Sequence, residues 1–159
     1  MAVHMSLENL IENSSTPLAQ SYLATGVLFI KDNQVLLLHR ISTGFHDQCY
    51  ALVGGKCDEG ESIVDNAIRE SYEEVGAIIQ PQDLQLVHVM HRSDQGKRNW
   101  VLFFFVVQTW ENELINKEPL KHNDMRWFAL DDLPKAMMPA HQKALEAWKA
   151  NQNYSLFPI

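Results

Sequence analysis

The feature that most constrains this chain is a segment in which glutamates recur at helical spacing. Between Glu61 and Gly76, apolar side chains recur at three- and four-residue steps, which predicts a helix with one buried face. Glu70, Glu73 and Glu74 follow the same steps, so their carboxylates share one side of that helix. Gly76 stands where a left-handed C-cap residue is favoured. The segment therefore predicts an acidic helix with a defined end.

A row of acids on one helix face favours a bound cation. Stacked like charges repel at a cost of a few tenths of a kcal/mol per pair, and a divalent cation removes that cost. Clustered carboxylates suit Mg²⁺ or Mn²⁺ better than Zn²⁺, and Mg²⁺ usually shares its carboxylates with substrate phosphates. Arg69 lies about two turns after Glu61 and is expected to reach back to it and orient the acids. The pattern indicates metal-assisted phosphate chemistry.

Composition and charge exclude several other classes. The chain has 159 residues, 46% of them hydrophobic, which is typical of one soluble domain. Asp and Glu number 20 against 13 for Lys and Arg, and the resulting net charge of −7 disfavours duplex nucleic acid and anionic membranes as partners. No apolar run approaches the roughly 20 residues of a membrane span. Cys49 and Cys57 fit a reduced, cytoplasmic setting better than a disulfide scaffold.

The rest of the chain reads as alternating strands with one more helix. Strands are predicted over 22–30, 35–39, 50–53, 84–91, 100–110 and 125–130, hairpin turns at 31–34 and 93–97, and a closing helix over 139–150. This order predicts an α/β fold, a mixed sheet between helical layers. Residues 1–20 are interpreted as a leader, with a start at Met5, followed by an N-terminal segment containing one or two helical turns at 6–13. Residues 21–159 are interpreted as a single domain.

The string from Gly55 to Ala77 resembles the Nudix box. That pattern is Gly, five residues, Glu, seven residues, Arg-Glu, an aliphatic residue, any residue, Glu-Glu, any residue, Gly and an aliphatic residue. Seven fixed positions match at the right spacing: Gly55, Glu61, Arg69, Glu70, Glu73, Glu74 and Gly76. Ser71 and Ala77 depart from the usual aliphatic positions, which bears on helix packing and not on the acids. The wider resemblance covers Ser21 to Ala150.

The resemblance implies a fold, a reaction and a set of site residues. The fold is an α/β/α sandwich with a central mixed β-sheet. The reaction is hydrolysis of a nucleoside diphosphate linked to another moiety, with Mg²⁺ or alternatively Mn²⁺. The predicted metal ligands are the Gly55 carbonyl, Glu70, Glu73 and Glu74.

Catalytic roles follow from the same resemblance. Glu70 is also the candidate base that deprotonates the attacking water, and Arg69 orients the acids. Many family members take one more carboxylate from a loop after the long strands. Glu118 is the first choice for it and Glu113 the second, because both precede the strand that begins near Met125.

The substrate is indicated less sharply. In size and in its strand-then-Pro ending, the chain is similar to Nudix enzymes that remove oxidised purine triphosphates. His141 stands where the MutT type has a base-reading Asn, and Ala51 stands where the animal enzyme has one. We therefore expect a nucleoside or deoxynucleoside triphosphate pyrophosphohydrolase of MutT type without assuming an oxidised base. A hydrolase of a nucleotide sugar or of ADP-ribose is the alternative within the family.

Candidate substrate contacts and other functions complete the predictions. His141 is expected to touch the base, Trp100 to stack on it, and Arg92 to hold a phosphate if it faces the cleft. An inactive nucleotide-binding or regulatory module and an isomerase of isoprenoid diphosphates, which would use Cys49, are the other functions considered. A zinc site at His39, His46 and Cys49 matches no standard spacing. The expected partner is a small nucleotide, and a homodimer is left open.

Overall fold

A computed structural model describes residues 19–93 and 99–158. Its strands are β1 (Ser21–Lys31), β2 (Gln34–Arg40), β3 (Tyr50–Ala51), β4 (Gln85–Ser93), β5 (Asn99–Val107), β6 (His122–Ala129) and β7 (Tyr154–Pro158). Its helices are α1 (Ile63–Val75) and α2 (Pro139–Lys149), with a short 3-10 turn at Pro81–Asp83. The helical turns predicted at 6–13 and the tip of the hairpin predicted at 93–97 lie outside the described residues.

The strands form the mixed sheet that the sequence predicts. Its order is β3-β2-β1-β5-β4-β7, and β6, which lies outside this path, also pairs with β2. Strands β1 and β5 run parallel, as do β4 and β7, whereas β4 is antiparallel to β5 and β2 is antiparallel to β6 and β3. The turn between β1 and β2 places Asp32 and Asn33 at positive φ, as a two-residue hairpin requires.

Helices cover both faces of the sheet. Val27 and Phe29 of β1 pack with Val75 of α1, while Leu28 of β1 packs with Leu145 of α2. Every side chain from Ala24 to Ile30 is consequently buried, as expected for an inner strand with a helical layer on each side. The observed architecture confirms the α/β/α sandwich.

Helix α1 begins at Ile63, two residues after the predicted start at Glu61, and ends at the predicted C-cap Gly76. Ser62 is the N-cap and accepts a hydrogen bond from the Asp65 N–H, and Gly76 takes the left-handed C-cap conformation with φ of 74°. Ser71, at a position where the family has an aliphatic residue, is fully buried and donates its hydroxyl to the Ala67 carbonyl at 2.7 Å. The substitution leaves no unsatisfied polar group in the helix packing.

Two departures from the predicted elements concern the end of the chain and β6. Strand β7 has no clear sequence signal and depends on a tertiary contact: buried His88 donates Nδ1–H to the Gln152 carbonyl and accepts from the Ser155 hydroxyl. Strand β6 begins at His122 rather than at Met125, which brings the buried His122 next to α1. Neither α1 nor α2 has the length and apolarity needed to cross a membrane.

Candidate active site

The glycine pair after β3 brings the backbone against β1 and α1. The Gly54 N–H donates to Glu74 Oε2 at 2.8 Å, and the Gly55 carbonyl accepts from the Thr25 N–H at 2.9 Å. Gly54 has φ of 140° and lies so close to the Thr25 carbonyl that a Cβ would collide with it. The pair therefore fixes the loop between the central strand and the acidic helix.

Gly55 is needed because the Glu70 carboxylate lies against it. A Cβ at Gly55 would come within 2.5 Å of Glu70 Oε1, so any side chain there would displace the carboxylate. Glu70 is mostly buried, and desolvation raises its pKa, with the neighbouring Arg69 charge opposing that shift. A carboxylate with a raised pKa in a cleft is suited to accepting a proton from water.

Arg69 contacts three of the box carboxylates. Its Nε lies 2.7 Å from Glu61 Oε1, and one terminal nitrogen lies 3.0 Å from Glu70 Oε1 and 3.1 Å from Glu73 Oε2. The hydrogen bond from Arg69 lowers the pKa of Glu61 to about 2. The predicted reach from Arg69 to Glu61 is confirmed. Glu73, half-exposed, is held in this ion pair at the edge of the cleft.

Glu74 is the most buried of the acids. Its side chain is 8% exposed, and desolvation raises its pKa to about 8. The hydrogen bond from Gly54 lowers that pKa, while the nearby Glu70 and Glu118 carboxylates raise it further. With a pKa of about 8, Glu74 is largely protonated at pH 7 when no cation is bound, because the protein itself compensates its negative charge poorly.

The loop before β6 supplies the remaining polar groups of the acidic cleft. Ligand atoms of Glu74, Glu118 and His122 lie within 4.8 Å of one another. Glu118 pairs with the Lys121 ammonium at 2.7 Å, and His122 Nε2 lies 3.7 Å from Glu74 Oε1. Burial lowers the pKa of His122 to about 4, so its imidazole is neutral at pH 7. Glu118, the first choice for the extra carboxylate, lies in the cleft.

Glu113 lies elsewhere. It lines a different cavity, next to Lys31, Trp110 and Trp127. The zinc alternative finds no support in the described residues, where the cluster of potential metal ligands contains neither His39, His46 nor Cys49. His39 instead hydrogen-bonds the Asn123 side chain at 2.6 Å.

The cleft has the donor set of a divalent cation site. Glu70, Glu74 and Glu118 line it together, and the His122 imidazole lies beside them with its Nε2 3.7 Å from Glu74 Oε1. Carboxylate oxygens suit Mg²⁺, and a neutral imidazole adds a ligand that Mn²⁺ also accepts. A bound cation would neutralise this charge and, with substrate present, that of the phosphate oxygens.

A second cavity adjoins the acidic cleft. Arg40 and Gly54 line both, so the two are adjacent. Besides these residues, the wall of the second cavity is aromatic, apolar and cationic: Phe45, Lys56, Arg92, Trp100, Leu102, Met138 and His141. We refer to it as the cationic cavity. The three predicted substrate contacts, His141, Arg92 and Trp100, meet there although they come from α2, β4 and β5.

Each of these three side chains has a defined setting. Arg92 and Trp100 are directly paired across β4 and β5, so they project from the same face of the sheet. The Trp100 ring lies 4.8 Å from that of Tyr22. His141 is buried, and its Nδ1 accepts from the Leu52 N–H at 2.9 Å.

Four residues of these two sites lack a distinct sequence signal. Arg40 and Phe45 line the cationic cavity, and the Arg40 guanidinium donates to the Phe45 carbonyl at 3.1 Å. Asn66, on the buried side of α1, donates to the Lys56 carbonyl at 2.7 Å and so holds the loop after the glycines. His122 falls in the polar segment that precedes the strand predicted from Met125.

Comparisons with known proteins agree with this geometry. The family model described as NUDIX domain matches residues 21–148. An ADP-ribose pyrophosphatase from Methanocaldococcus jannaschii is 32% identical over 123 residues, which are 75% of this chain and 69% of that protein. An 8-oxo-dGTP diphosphatase from Escherichia coli is 29% identical over 76% of this chain and 93% of that protein.

Solved structures give the same result. A MutT NUDIX hydrolase from Burkholderia pseudomallei superposes with a TM-score of 0.73 at 30% identity, covering 80% of this chain and 97% of that one. Residues 21–148, which the family model matches, include the lining of both cavities and the acidic helix. Nudix hydrolases generally use a divalent metal and act on small nucleotide substrates. The chain belongs to the Nudix family and is a hydrolase of phosphorus-containing acid anhydrides.

Proposed function

We propose that this protein is a Mg²⁺-dependent nucleoside triphosphate pyrophosphohydrolase of MutT type. It would cut within the phosphate chain of a ribo- or deoxyribonucleoside triphosphate and release pyrophosphate and a monophosphate. Mn²⁺ would serve as an alternative to Mg²⁺.

The adjacency of the two cavities carries this proposal. A triphosphate has a charged chain, which needs cations, and a flat base, which needs apolar and aromatic surface. The acidic cleft offers metal ligands, and the cationic cavity next to it offers Phe45, Trp100 and Met138. A nucleotide bound across both would place its phosphate chain at the acids and its base against the aromatic wall.

The roles of the acidic residues form part of the same proposal. Glu70, Glu74 and Glu118 would hold the metal together with the Gly55 carbonyl, with Glu73 as a further ligand from the edge of the cleft. Glu70 would act as the base, because its carboxylate is buried, has a raised pKa and lines the cleft. Arg69 would hold Glu70 and Glu73 in place through the contacts already described.

A nucleotide panel with product identification tests the proposal. Triphosphates, ADP-ribose and a nucleotide sugar are incubated with Mg²⁺ and the products separated by anion exchange. Turnover of triphosphates to monophosphate and pyrophosphate is the expected result. Preferential cleavage of ADP-ribose or of the sugar nucleotide would assign the chain to that substrate class instead. ADP-ribose is the main alternative, because the archaeal relative is named an ADP-ribose pyrophosphatase.

Matched variants separate catalysis from binding alone. Glu70→Gln removes one carboxylate from the cleft, and Glu146→Gln makes the same change on the exposed side of α2, where Glu146 accepts from Gln142. If the chain were an inactive regulatory module, the unmodified protein would bind nucleotide and hydrolyse none of the substrates. The isomerase alternative is disfavoured by Cys49, which lines neither cavity, and an assay with isopentenyl diphosphate tests it directly.

Location and assembly are predictions that stand beside this one. Cys49 and Cys57 are both unpaired, which supports a reduced cytoplasmic compartment. A homodimer would use the sheet edge at β7 or the surface near Trp148, and sedimentation velocity would detect it.

A further inference from the structure

The cationic cavity contains an arginine whose buried donor has no protein acceptor. Arg92 Nε is buried and has no hydrogen-bond partner among the described residues. Its guanidinium carbon lies 6.0 Å from the centroid of the Phe45 ring. A buried, charged donor left unpaired is costly, so such a group is expected to find its acceptor in a ligand.

The two other cations of this cavity are Arg40 and Lys56. Arg40 donates to the Phe45 carbonyl and, at 2.9 Å, to the Thr43 hydroxyl. Lys56 Nζ lies 5.3 Å from the centroid of the Trp100 ring. The described residues that line the cavity include these three cations and no carboxylate. Arg92 is therefore distinguished among the three cations by a buried Nε with no acceptor among the described residues.

His141 presents a second donor to the same cavity. Because its Nδ1 accepts the Leu52 N–H, the proton of the neutral ring lies on Nε2. Burial lowers the pKa of His141 to about 3, so the ring stays neutral throughout the physiological range. Both side chains are therefore hydrogen-bond donors, so a ligand that binds them must present acceptor atoms.

We propose that Arg92, assisted by His141, reads a carbonyl oxygen of the nucleobase, so that the enzyme prefers keto bases over amino bases. Guanine, uracil and thymine present such an oxygen, and guanine presents O6 and N7 together to an arginine fork. Adenine and cytosine place an amino group at the corresponding position. That group is a donor, so it cannot accept a hydrogen bond from Arg92 or His141. This inference rests on the proposed function for the orientation of the nucleotide and adds the class of base.

The kinetic test uses two matched pairs of substrates. Values of kcat/KM are measured for GTP against ATP and for UTP against CTP, each pair differing in the keto or amino group. The unmodified protein is expected to favour the keto member by at least about tenfold in both pairs. Ratios near one, or in favour of the amino member, would overturn the inference.

Variants assign any preference to Arg92. Arg92→Lys keeps the charge and loses the planar fork, and it is expected to bring both ratios close to one while ATP turnover persists. Arg126→Lys is the control, since the exposed Arg126 side chain projects from β6 and pairs with Asp124 away from the cavity lining. Ratios unchanged in Arg92→Lys, or an equal rise in KM for all four nucleotides, would mean that Arg92 acts on the phosphates and would refute base reading. Arg92→Met, which keeps the aliphatic stem, serves if the lysine variant unfolds.

A binding experiment keeps this inference separate from the proposed function. Calorimetry with GMP and AMP needs no hydrolysis, and GMP is expected to bind the unmodified protein more tightly, with the difference lost in Arg92→Lys. Such binding without triphosphate turnover would sink only the proposed function. Triphosphate turnover with equal binding of GMP and AMP would sink only the inference about Arg92.

Discussion

The acidic cleft and the cationic cavity share a border but are built in opposite ways. The cleft is lined by three short stretches of chain: Arg40, Ser42 and Thr43; Gly54, Glu70 and Glu74; and Glu118, Lys121 and His122. The cavity takes its lining from β1, the end of β2 and the loop after it, the loop after β3, β4, β5 and α2. One region is acidic and the other cationic, although the chain as a whole carries a charge of −7. Two of the three carboxylates in the cleft come from one helix, whereas the three cations of the cavity come from separate elements.

Glu70→Gln is the strongest test of the chemistry assigned to the cleft. The change is nearly isosteric and removes a carboxylate that lies against Gly55. We expect turnover to fall by about 10²- to 10⁴-fold, because a base or a metal ligand is lost and no packing is. Steady-state kinetics measures the loss, and circular dichroism checks that the fold is retained. Near-normal activity would transfer the base to Glu118.

A pair of glutamines distinguishes the two loop acids. Glu118→Gln is expected to reduce activity by about 10- to 100-fold, since it removes a carboxylate from the ligand cluster. Glu113→Gln is expected to behave like the unmodified protein, because Glu113 lines a different cavity. Equal losses in both variants would break the assignment of the cleft to Glu118.

These two acids show what sequence could predict and what it could not. The helix, its C-cap and the shared face of Glu70 and Glu74 follow from local pattern, so they were predictable. The choice between Glu118 and Glu113 depends on how an irregular loop folds back, which local pattern does not encode. His122 enters the cleft only because β6 begins three residues earlier than its apolar run suggests.

The cationic cavity marks the limit of prediction more clearly. His141, Arg92 and Trp100 could each be suggested as substrate contacts, but their meeting depends on the register between β4 and β5 and on the docking of α2. Phe45 gives no signal, since it lies in a polar loop whose shape depends on residues at positive φ, among them Ser42, His46 and Gln48. Strand β7 is missed because the buried contact of His88 that anchors it is non-local.

Divalent metal should stabilise the folded protein through residues of the cleft, and substitutions in the cationic cavity should not change this stabilisation. Bound cation neutralises carboxylates that repel in its absence, and saturation at about 100 times Kd adds about 2.7 kcal/mol to the free energy of unfolding. Mg²⁺ or Mn²⁺ should therefore raise Tm by several degrees, and EDTA should reverse the rise. Differential scanning calorimetry of the unmodified protein, Glu118→Gln and Arg92→Lys gives the comparison. Only Glu118→Gln should show a clearly smaller rise in Tm at the same metal concentration, because it keeps the other ligands and binds the cation more weakly. A smaller rise in Arg92→Lys would contradict the separation of the two regions.

The cavity should respond to pH through His141. Its folded pKa of about 3 lies below the ordinary 6.5, so the unfolded chain binds more protons between these values. The stabilising effect is complete above pH 6.5 and is lost as the pH falls toward 3, by at most about 1.4 kcal/mol per pH unit. Urea unfolding from pH 8 to 4 should show a shallower slope in His141→Gln than in the unmodified protein. Parallel slopes would show that His141 titrates normally in the folded state.

The smallest effect belongs to the frame of the cleft, at Glu61. Its pKa of about 2 lies below the ordinary 4.5 because Arg69 donates to it, so the stabilisation it contributes is present above pH 4.5 and is lost as the pH falls through 2. Glu61 is largely buried and its hydrogen bonds with Arg69 are charge-assisted, so Glu61→Gln should cost about 1 to 2 kcal/mol at pH 7. That cost should shrink between pH 4.5 and 2, a window lying lower than the one at His141. Urea unfolding of the two proteins at pH 7, 4 and 2.5 measures it. A cost that stays constant across these values would assign Glu61 a packing role, because only the ionised carboxylate can carry an effect that disappears with protonation.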